Sequence, residues 1–331
     1  MAALVRAEHD ASLGARLRSR RPLFYAAGPD AGADRPAHVR AGSGLAWLVS
    51  RLAVIQDDAS FVALISQARG EAVAVPLPRG EGGRRLFDEG LGNKAHKLDL
   101  EACFTAEVEG QTCLVALGSG STGRREQVAL VRPGAPPEVR LVHAPLLYDA
   151  LRGRPDFCGS ELNVEGAVLL PDGTLRLFQR GNGAPRGELL PQDATCDLDW
   201  AALWAHVMGQ RDGAPAPDNV TRYDLGRAGG VRLTFTDAAL APSGLLYLAG
   251  AEDSPDTVLD GEVTGAAVGL IHEGGARWTH LCDDAGEPLV VKAEGLALDP
   301  ADPRRALVVV DADDADAPSE LLELELSGPW W

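Results

Sequence analysis

The sequence predicts an all-β fold, a five-bladed β-propeller. Three observations carry that reading. Glycine and proline are abundant, with 38 and 22 residues in a chain of 331, which suits a turn-rich β architecture. One short pattern recurs five times along the chain, and internal repeats of this kind mark arrays or propellers. The apolar runs inside each copy mix small and large residues, as in sheets packed on both faces.

The pattern is a polar or acidic residue, a small residue, an apolar run, a turn, a second apolar run, and a polar loop. Copy one leads with Ser43-Gly44 and continues through 52–58. Copy two leads with Glu101-Ala102 and continues through 113–119. Glu165-Gly166, Asp237-Ala238 and Glu294-Gly295 lead the next three, with second runs at 175–180, 245–253 and 306–311. The leads lie 57 to 72 residues apart. That is long enough for a four-stranded blade with extended loops, since common blade repeats span about 40–50 residues. Third and fourth strands are legible at 61–65 and 72–77, at 127–131 and 139–142, and at 266–271 and 278–281.

The last copy shows three strands, ending at 321–326. The segment 22–26 (PLFYA) is expected to supply its fourth and close the ring, hiding an open edge. On that reading residues 1–21 are an N-terminal extension and 22–331 one propeller domain. Residues 197–209 place apolar side chains at 200, 203, 204, 207 and 208, a helical spacing. They read as one short helical insertion, capped by Asp197 or Asp199. The competing count is six blades, with a degenerate blade in that interval.

Lys and Arg number 31 against 48 Asp and Glu, a formal charge of −17. That disfavours a non-specific nucleic-acid binder and docking on anionic membranes, so neither partner is expected. An anionic ligand would need local arginines or a bound cation. Cys103, Cys113, Cys158, Cys196 and Cys282 are odd in number and form no CxxC pair, so neither a thiol zinc site nor a disulfide framework is expected. No apolar stretch approaches a membrane span. The first 21 residues lack the apolar core of a signal peptide, so a cytoplasmic location is expected.

The innermost strands of a propeller line its central channel. Superposing the five copies brings Ser43, Glu101, Glu165, Asp237 and Glu294 to one level around the axis. Four carboxylates so placed cannot all ionise unaided. A Ca²⁺ ion resolves the conflict, because it takes six to eight oxygen ligands in flexible geometry. The absence of His and Cys from the set argues against zinc. The alternative is a metal-free polar channel that shares protons.

These residues give the chain a family likeness. It resembles the five-bladed propeller apyrases, the calcium-activated nucleotidases, through Ser43-Gly44-Leu45 followed by Ile55-Gln56-Asp57-Asp58, and through Glu101, Glu165 and Glu294. The resemblance implies one axial Ca²⁺ held by a Glu or Ser from each blade. Asp237 departs from it, since a serine is the family's residue there. A looser similarity, through Val164-Glu165-Gly166 and Ala293-Glu294-Gly295-Leu296, links the chain to esterase-like and phytase-like propeller proteins.

The loops after the second strands should surround one mouth of the channel. They carry Asp57 and Asp58; Ser119, Arg124 and Arg125; Gln179, Arg180 and Asn182; Glu252 and Asp253; and Asp311. The three arginines could clamp an anionic group, and Asp57 or Asp58 could deprotonate a water. Lys97, Asp99 and Lys292 flank the ring. The reading is a calcium-dependent hydrolase of a small phosphate-containing or ester molecule, with Asp57, Asp58 and Arg180 catalytic and the remaining mouth residues binding substrate. The alternative is a calcium-stapled propeller that binds a ligand or partner without turnover. Neither a Gly-x-Ser-x-Gly elbow nor an HExxH motif is present.

Overall fold

Two strands open the chain, β1 (Ala3–His9) and β2 (Gly14–Pro22). Each copy of the sequence pattern then starts an antiparallel meander. The computed structural model describes residues 2–66, 70–253 and 261–331. Blade 1 is β3 (Gly42–Leu48), β4 (Arg51–Gln56), β5 (Phe61–Ser66) and β6 (Ala72–Pro76). Blade 2 is β7 (Leu100–Val108), β8 (Gln111–Gly118), β9 (Gln127–Arg132) and β10 (Glu138–His143). Two helices follow, α1 (Pro145–Arg152) and α2 (Pro155–Cys158). Blade 3 is β11 (Val164–Leu169), β12 (Thr174–Gln179), β13 (Asp193–Asp199) and, after α3 (Trp200–Val207), β14 (Asp218–Asp224). A two-residue β15 (Arg227–Ala228) leads into blade 4, which is β16 (Val231–Ala241), β17 (Gly244–Asp253), β18 (Glu262–His272) and β19 (Gly275–Cys282). Blade 5 is β20 (Lys292–Asp299), β21 (Asp302–Asp311) and β22 (Glu320–Ser327), and β2 is its outer strand.

The core lies between blades, because each sheet buries both faces. Five apolar clusters occupy five successive interfaces. Leu64, Leu100 and Leu114 fill the gap between blades 1 and 2, and Phe104, Val115 and Leu177 the gap between 2 and 3. Phe178, Phe235 and Tyr247 join blades 3 and 4, and Leu248, Val268 and Val308 join 4 and 5. Leu45, Val54 and Val309 return from blade 5 to blade 1. The first strands β3, β7, β11, β16 and β20 pack on one another in the same cycle, with β20 against β3. Gly295 allows the closure, since a Cβ there would stand 2.8 Å from the Gly44 backbone. Gly166 meets blade 4 in the same way, with a Cβ there 3.3 Å from the Ala238 nitrogen and the Asp237 Cα, so at these two positions glycine lets neighbouring first strands touch backbone to backbone.

The N-terminus differs from expectation. The strand completing blade 5 is β2, paired antiparallel with β22 from Gly14↔Ser327 to Pro22↔Glu320. Of the expected segment 22–26 only Pro22 belongs to that strand, and residues 23–26 cross from blade 5 to blade 1 through single bridges such as Tyr25↔Ala72. Nor is the segment expected as an appended extension one, as its described residues show. The first half of β1 pairs in parallel with β14 of blade 3, and its second half, Ala7–His9, with β19 of blade 4. β2 also bridges to β19 at Leu281↔Ala15. One segment thus laces the outer edges of three blades.

The expected helix is present as α3, and Asp199 caps it by accepting from the Ala202 N–H at 2.7 Å. It sits inside blade 3, and among the described residues no further four-stranded unit occupies that interval. Among the described residues no helix is long and apolar enough to cross a membrane.

Candidate functional site

The pairing register shows how the axial residues are aimed. Each first strand carries a β-bulge near its start. The registers skip one residue between Gly42 and Gly44, Leu100 and Ala102, Val164 and Gly166, Phe235 and Asp237, and Ala293 and Gly295. A bulge leaves its extra residue unpaired and re-aims that side chain. The five equivalent residues are therefore Ser43, Glu101, Glu165, Thr236 and Glu294. Asp237, expected on the ring, is displaced from it by one residue.

The two hydroxyls behave alike. Ser43 Oγ donates to the Leu100 carbonyl at 2.5 Å, and Thr236 Oγ1 to the Ala293 carbonyl at 2.8 Å. Each acceptor precedes the next blade's ring glutamate. Asp237 is fully buried and serves the backbone instead. Its Oδ1 accepts from the Ala238 N–H at 2.8 Å, and its Oδ2 from the Leu296 N–H of blade 5 at 2.7 Å. The sequence did carry a signal for this, a hydroxyl at 236 beside the position where the resemblance asks for serine.

Ser43, Glu101, Glu165 and Glu294 open into a cavity of about 360 Å³ at one end of the channel. Arg180 reaches into it as a counter-ion. Its Nη2 lies 2.6 Å from Glu252 Oε2, and its Nη1 3.4 Å from Glu165 Oε1 and 3.9 Å from Glu294 Oε1. Lys97 does the same for blade 2, with Nζ 2.5 Å from Asp57 Oδ2 and 2.7 Å from Asp99 Oδ1. The carboxylates of Asp57, Asp99 and Glu101 lie within 4.8 Å of one another. Arg125 Nη1 holds the second oxygen of Asp99 at 3.0 Å. Arg40 holds Asp58 Oδ2 at 2.5 Å and Asp88 at 3.4 Å, and Lys292 holds Asp313 at 2.5 Å and Asp311 at 3.7 Å. Asn163 Nδ2 joins Glu165 Oε1 at 2.6 Å to Asn182 Oδ1 at 3.1 Å. Ala41, Asp99 and Asp313 line the cavity with φ of 37°, 55° and 52°. Non-glycine residues held in this region cluster at functional sites, each costing roughly 1–3 kcal/mol.

Of the expected mouth residues, Asp57, Asp58, Arg125, Arg180, Asn182, Glu252 and Asp311 line the cavity. Four others do not. Arg124 is exposed at the surface, paired with Glu81 at 2.6 Å. Ser119 is buried behind Asp99 and donates to its Oδ2. Gln179 spends its amide on the Asn163 N–H at 2.8 Å and the Arg180 carbonyl at 2.6 Å. Asp253 is exposed at the end of β17. Arg40, Asp88, Glu89, Lys94 and Asn163 line the cavity without having been expected. Three of them come from the long connection between blades 1 and 2, which has no repeat to align.

The ring residues suit a hard divalent cation. All donors are oxygen, and Glu294 Oε2 is buried with no hydrogen-bond partner, a state that costs free energy unless something positive approaches. Burial pushes the Glu165 carboxyl up to about 6 against the pull of Arg180. Burial, followed by neighbouring carboxylates, pushes Glu101 well above its ordinary value. Glu294 rises likewise through burial, although Arg180 opposes it. A carboxyl with a raised folded pKa contributes stability that is complete below the ordinary value of 4.5 and is lost as the pH rises through the folded value. The cation-free protein is therefore expected to melt at a lower temperature at pH 7 than at pH 5. Saturating calcium should remove the difference, and Glu165→Gln should flatten the slope. A melting temperature unchanged from pH 5 to 7 without cation would contradict this.

A profile for a family of unknown function, DUF6929, matches residues 38–326. The chain belongs to the DUF6929 family. The match covers all five blades except β1, β2 and the last residue of β22, so the cavity lies within the region the family shares. No curated protein sequence matches the chain. Among solved structures, the chain is similar to glutaminyl cyclase of Myxococcus xanthus, at 13% identity over 98% of this chain and 99% of that one, with a TM-score of 0.41. It is also similar to the PQQ-bound aldose sugar dehydrogenase of Streptomyces coelicolor, at 15% identity over 96% and 100%, with a TM-score of 0.42. A streptogramin B lyase gives 10% identity over 93% and 98%, with a TM-score of 0.34. At these identities and scores none of their activities transfers to this member of DUF6929.

Proposed function

We propose that the ring of Ser43, Glu101, Glu165, Thr236 and Glu294 holds one divalent cation, Ca²⁺ by its donor set, and that the cavity above it hydrolyses a small ester-type molecule. The observation that supports this best is the unpartnered, buried Glu294 Oε2 beside two further ring carboxylates. Three ring carboxylates with Asp57, Asp99 and Glu252 stand against three cationic groups, Lys97, Arg125 and Arg180, so charge remains for an ion to neutralise. When bound, such an ion supplies Lewis-acid polarisation of a substrate oxygen and a more acidic water.

The chain's own residues do the rest. Asp57, whose carboxylate lies within 4.8 Å of Glu101, accepts a proton from the attacking water, and Lys97 holds it in place at 2.5 Å. Arg180 orients Glu165 and Glu252 as a fixed counter-ion. A second reading rests on the same Arg180. Its charge already neutralises part of the ring, as a structural channel would need, and the propeller would then bind without turnover.

Calorimetric titration with calcium tests the ring. Glu294→Gln is expected to weaken binding at least tenfold, and undiminished affinity would sink the assignment. Calcium-stimulated release of alcohol from a panel of small esters, lost in Asp57→Asn, supports hydrolysis. Calcium binding with no turnover on any member favours the second reading.

A further inference from the structure

We propose that the molecule bound in this cavity carries a positively charged group, a primary ammonium or a guanidinium, which Asp58 Oδ1 accepts. The proposal rests on the reading that the cavity is the small-molecule site, but not on the axial ion. Twelve carboxylates and six basic side chains line the cavity. Counted formally, with every carboxyl ionised, even a bound divalent ion would leave that wall four charges negative.

The six basic groups are also committed. Arg40 spans Asp58 and Asp88, Lys97 spans Asp57 and Asp99, and Lys292 spans Asp311 and Asp313. Arg125 serves Asp99, Arg180 serves Glu165, Glu252 and Glu294, and Lys94 lies 3.7 Å from Glu89. An anionic ligand would have to share these cations with the carboxylates they already neutralise, and would add negative charge to a wall that is already acidic, which is unfavourable. Arg124, the one mouth arginine outside these pairs, faces solvent.

Acceptors, by contrast, are open. Asp58 Oδ1 is buried and has no partner, while its Oδ2 is fixed by Arg40 at 2.5 Å. Glu294 Oε2, the other such oxygen lining the cavity, is the one assigned above to the axial ion, so the proposal is carried by Asp58 Oδ1. A buried acceptor without a donor points to a ligand that brings one. The space, about 360 Å³, suits a molecule of about a dozen non-hydrogen atoms at roughly 30 Å³ for each water-sized unit.

The test uses agmatine, which carries both cationic groups, and inorganic phosphate as the opposing probe. Each is titrated calorimetrically into calcium-loaded protein at about 0.15 M salt, where diffuse attraction to the acidic surface is screened. One-site agmatine binding is expected, weakened at least tenfold in Asp58→Asn, with no phosphate binding. Phosphate binding without agmatine binding overturns the proposal, as does agmatine affinity unchanged by Asp58→Asn. The comparison of the two probes on the wild-type chain stands even if the variant fails to fold. Calcium isotherms on the same samples separate the two readings. Calcium binding without agmatine binding sinks this proposal alone, whereas Asp58-dependent agmatine binding without calcium binding sinks the ring alone.

Discussion

Asp237→Ala is expected to lower stability by about 2–6 kcal/mol while leaving calcium affinity unchanged. The substitution strips the acceptor from two buried backbone N–H groups, those of Ala238 and Leu296, and each orphaned donor costs roughly 1–3 kcal/mol. Leu296 belongs to blade 5, so the loss also loosens the contact between blades 4 and 5. Thr236→Val should do the reverse. It keeps the shape of the side chain and removes a ring oxygen, so calcium affinity should fall roughly tenfold, the equivalent of about 1.4 kcal/mol. Urea unfolding and calcium titration of both variants distinguish the two residues. If folded Asp237→Ala loses calcium and Thr236→Val does not, the bulge register does not decide which side chain meets the ion.

Deletion of residues 1–10 should be equally damaging, although these residues touch no part of the cavity. β1 holds four positions on β14 and three on β19. At roughly 0.5–1.5 kcal/mol net for each hydrogen bond, the seam contributes several kcal/mol. Val5 and Ala7 also pack onto the cluster between blades 3 and 4. The truncated protein is expected to melt well below the full chain. It should also self-associate, because two strand edges are freed at once. Equal melting temperatures, with no rise in light scattering, would show that the lacing is dispensable. Ala7→Pro, which removes one donor in the middle of the seam, should give a smaller shift in the same direction.

The second strands were easiest to find. Runs such as RLAVIQ at 51–56 are buried from Leu52 onward, because both faces of an inner strand meet another blade. The outer strands were harder. β2 (GARLRSRRP) buries only Ala15 and leaves its other residues at least partly accessible, so its charges resembled an extension. α1 escaped notice because its apolar residues Leu147, Tyr148 and Leu151 sit among the charges of a loop.

Four of the five ring positions were legible, since a charged or hydroxyl residue before a small one is a local pattern. The fifth was misplaced by one residue, because a bulge is a relation between two paired strands, and the hydroxyl at 236 that hinted at it stands beside an acid that fits the repeat equally well.

The amino-acid order by itself determined the repeat, the β class, the acidic balance and most of the axial oxygens, because each depends on neighbours along the chain. Only the tertiary structure decided that Thr236 rather than Asp237 stands at the ring, that Arg125 and Arg180 neutralise carboxylates rather than await an anion, and that β1 and β2 hold three blades together. Those outcomes depend on which groups meet across distances of tens to hundreds of residues, and electrostatic pairing and strand register exist only once the blades have closed.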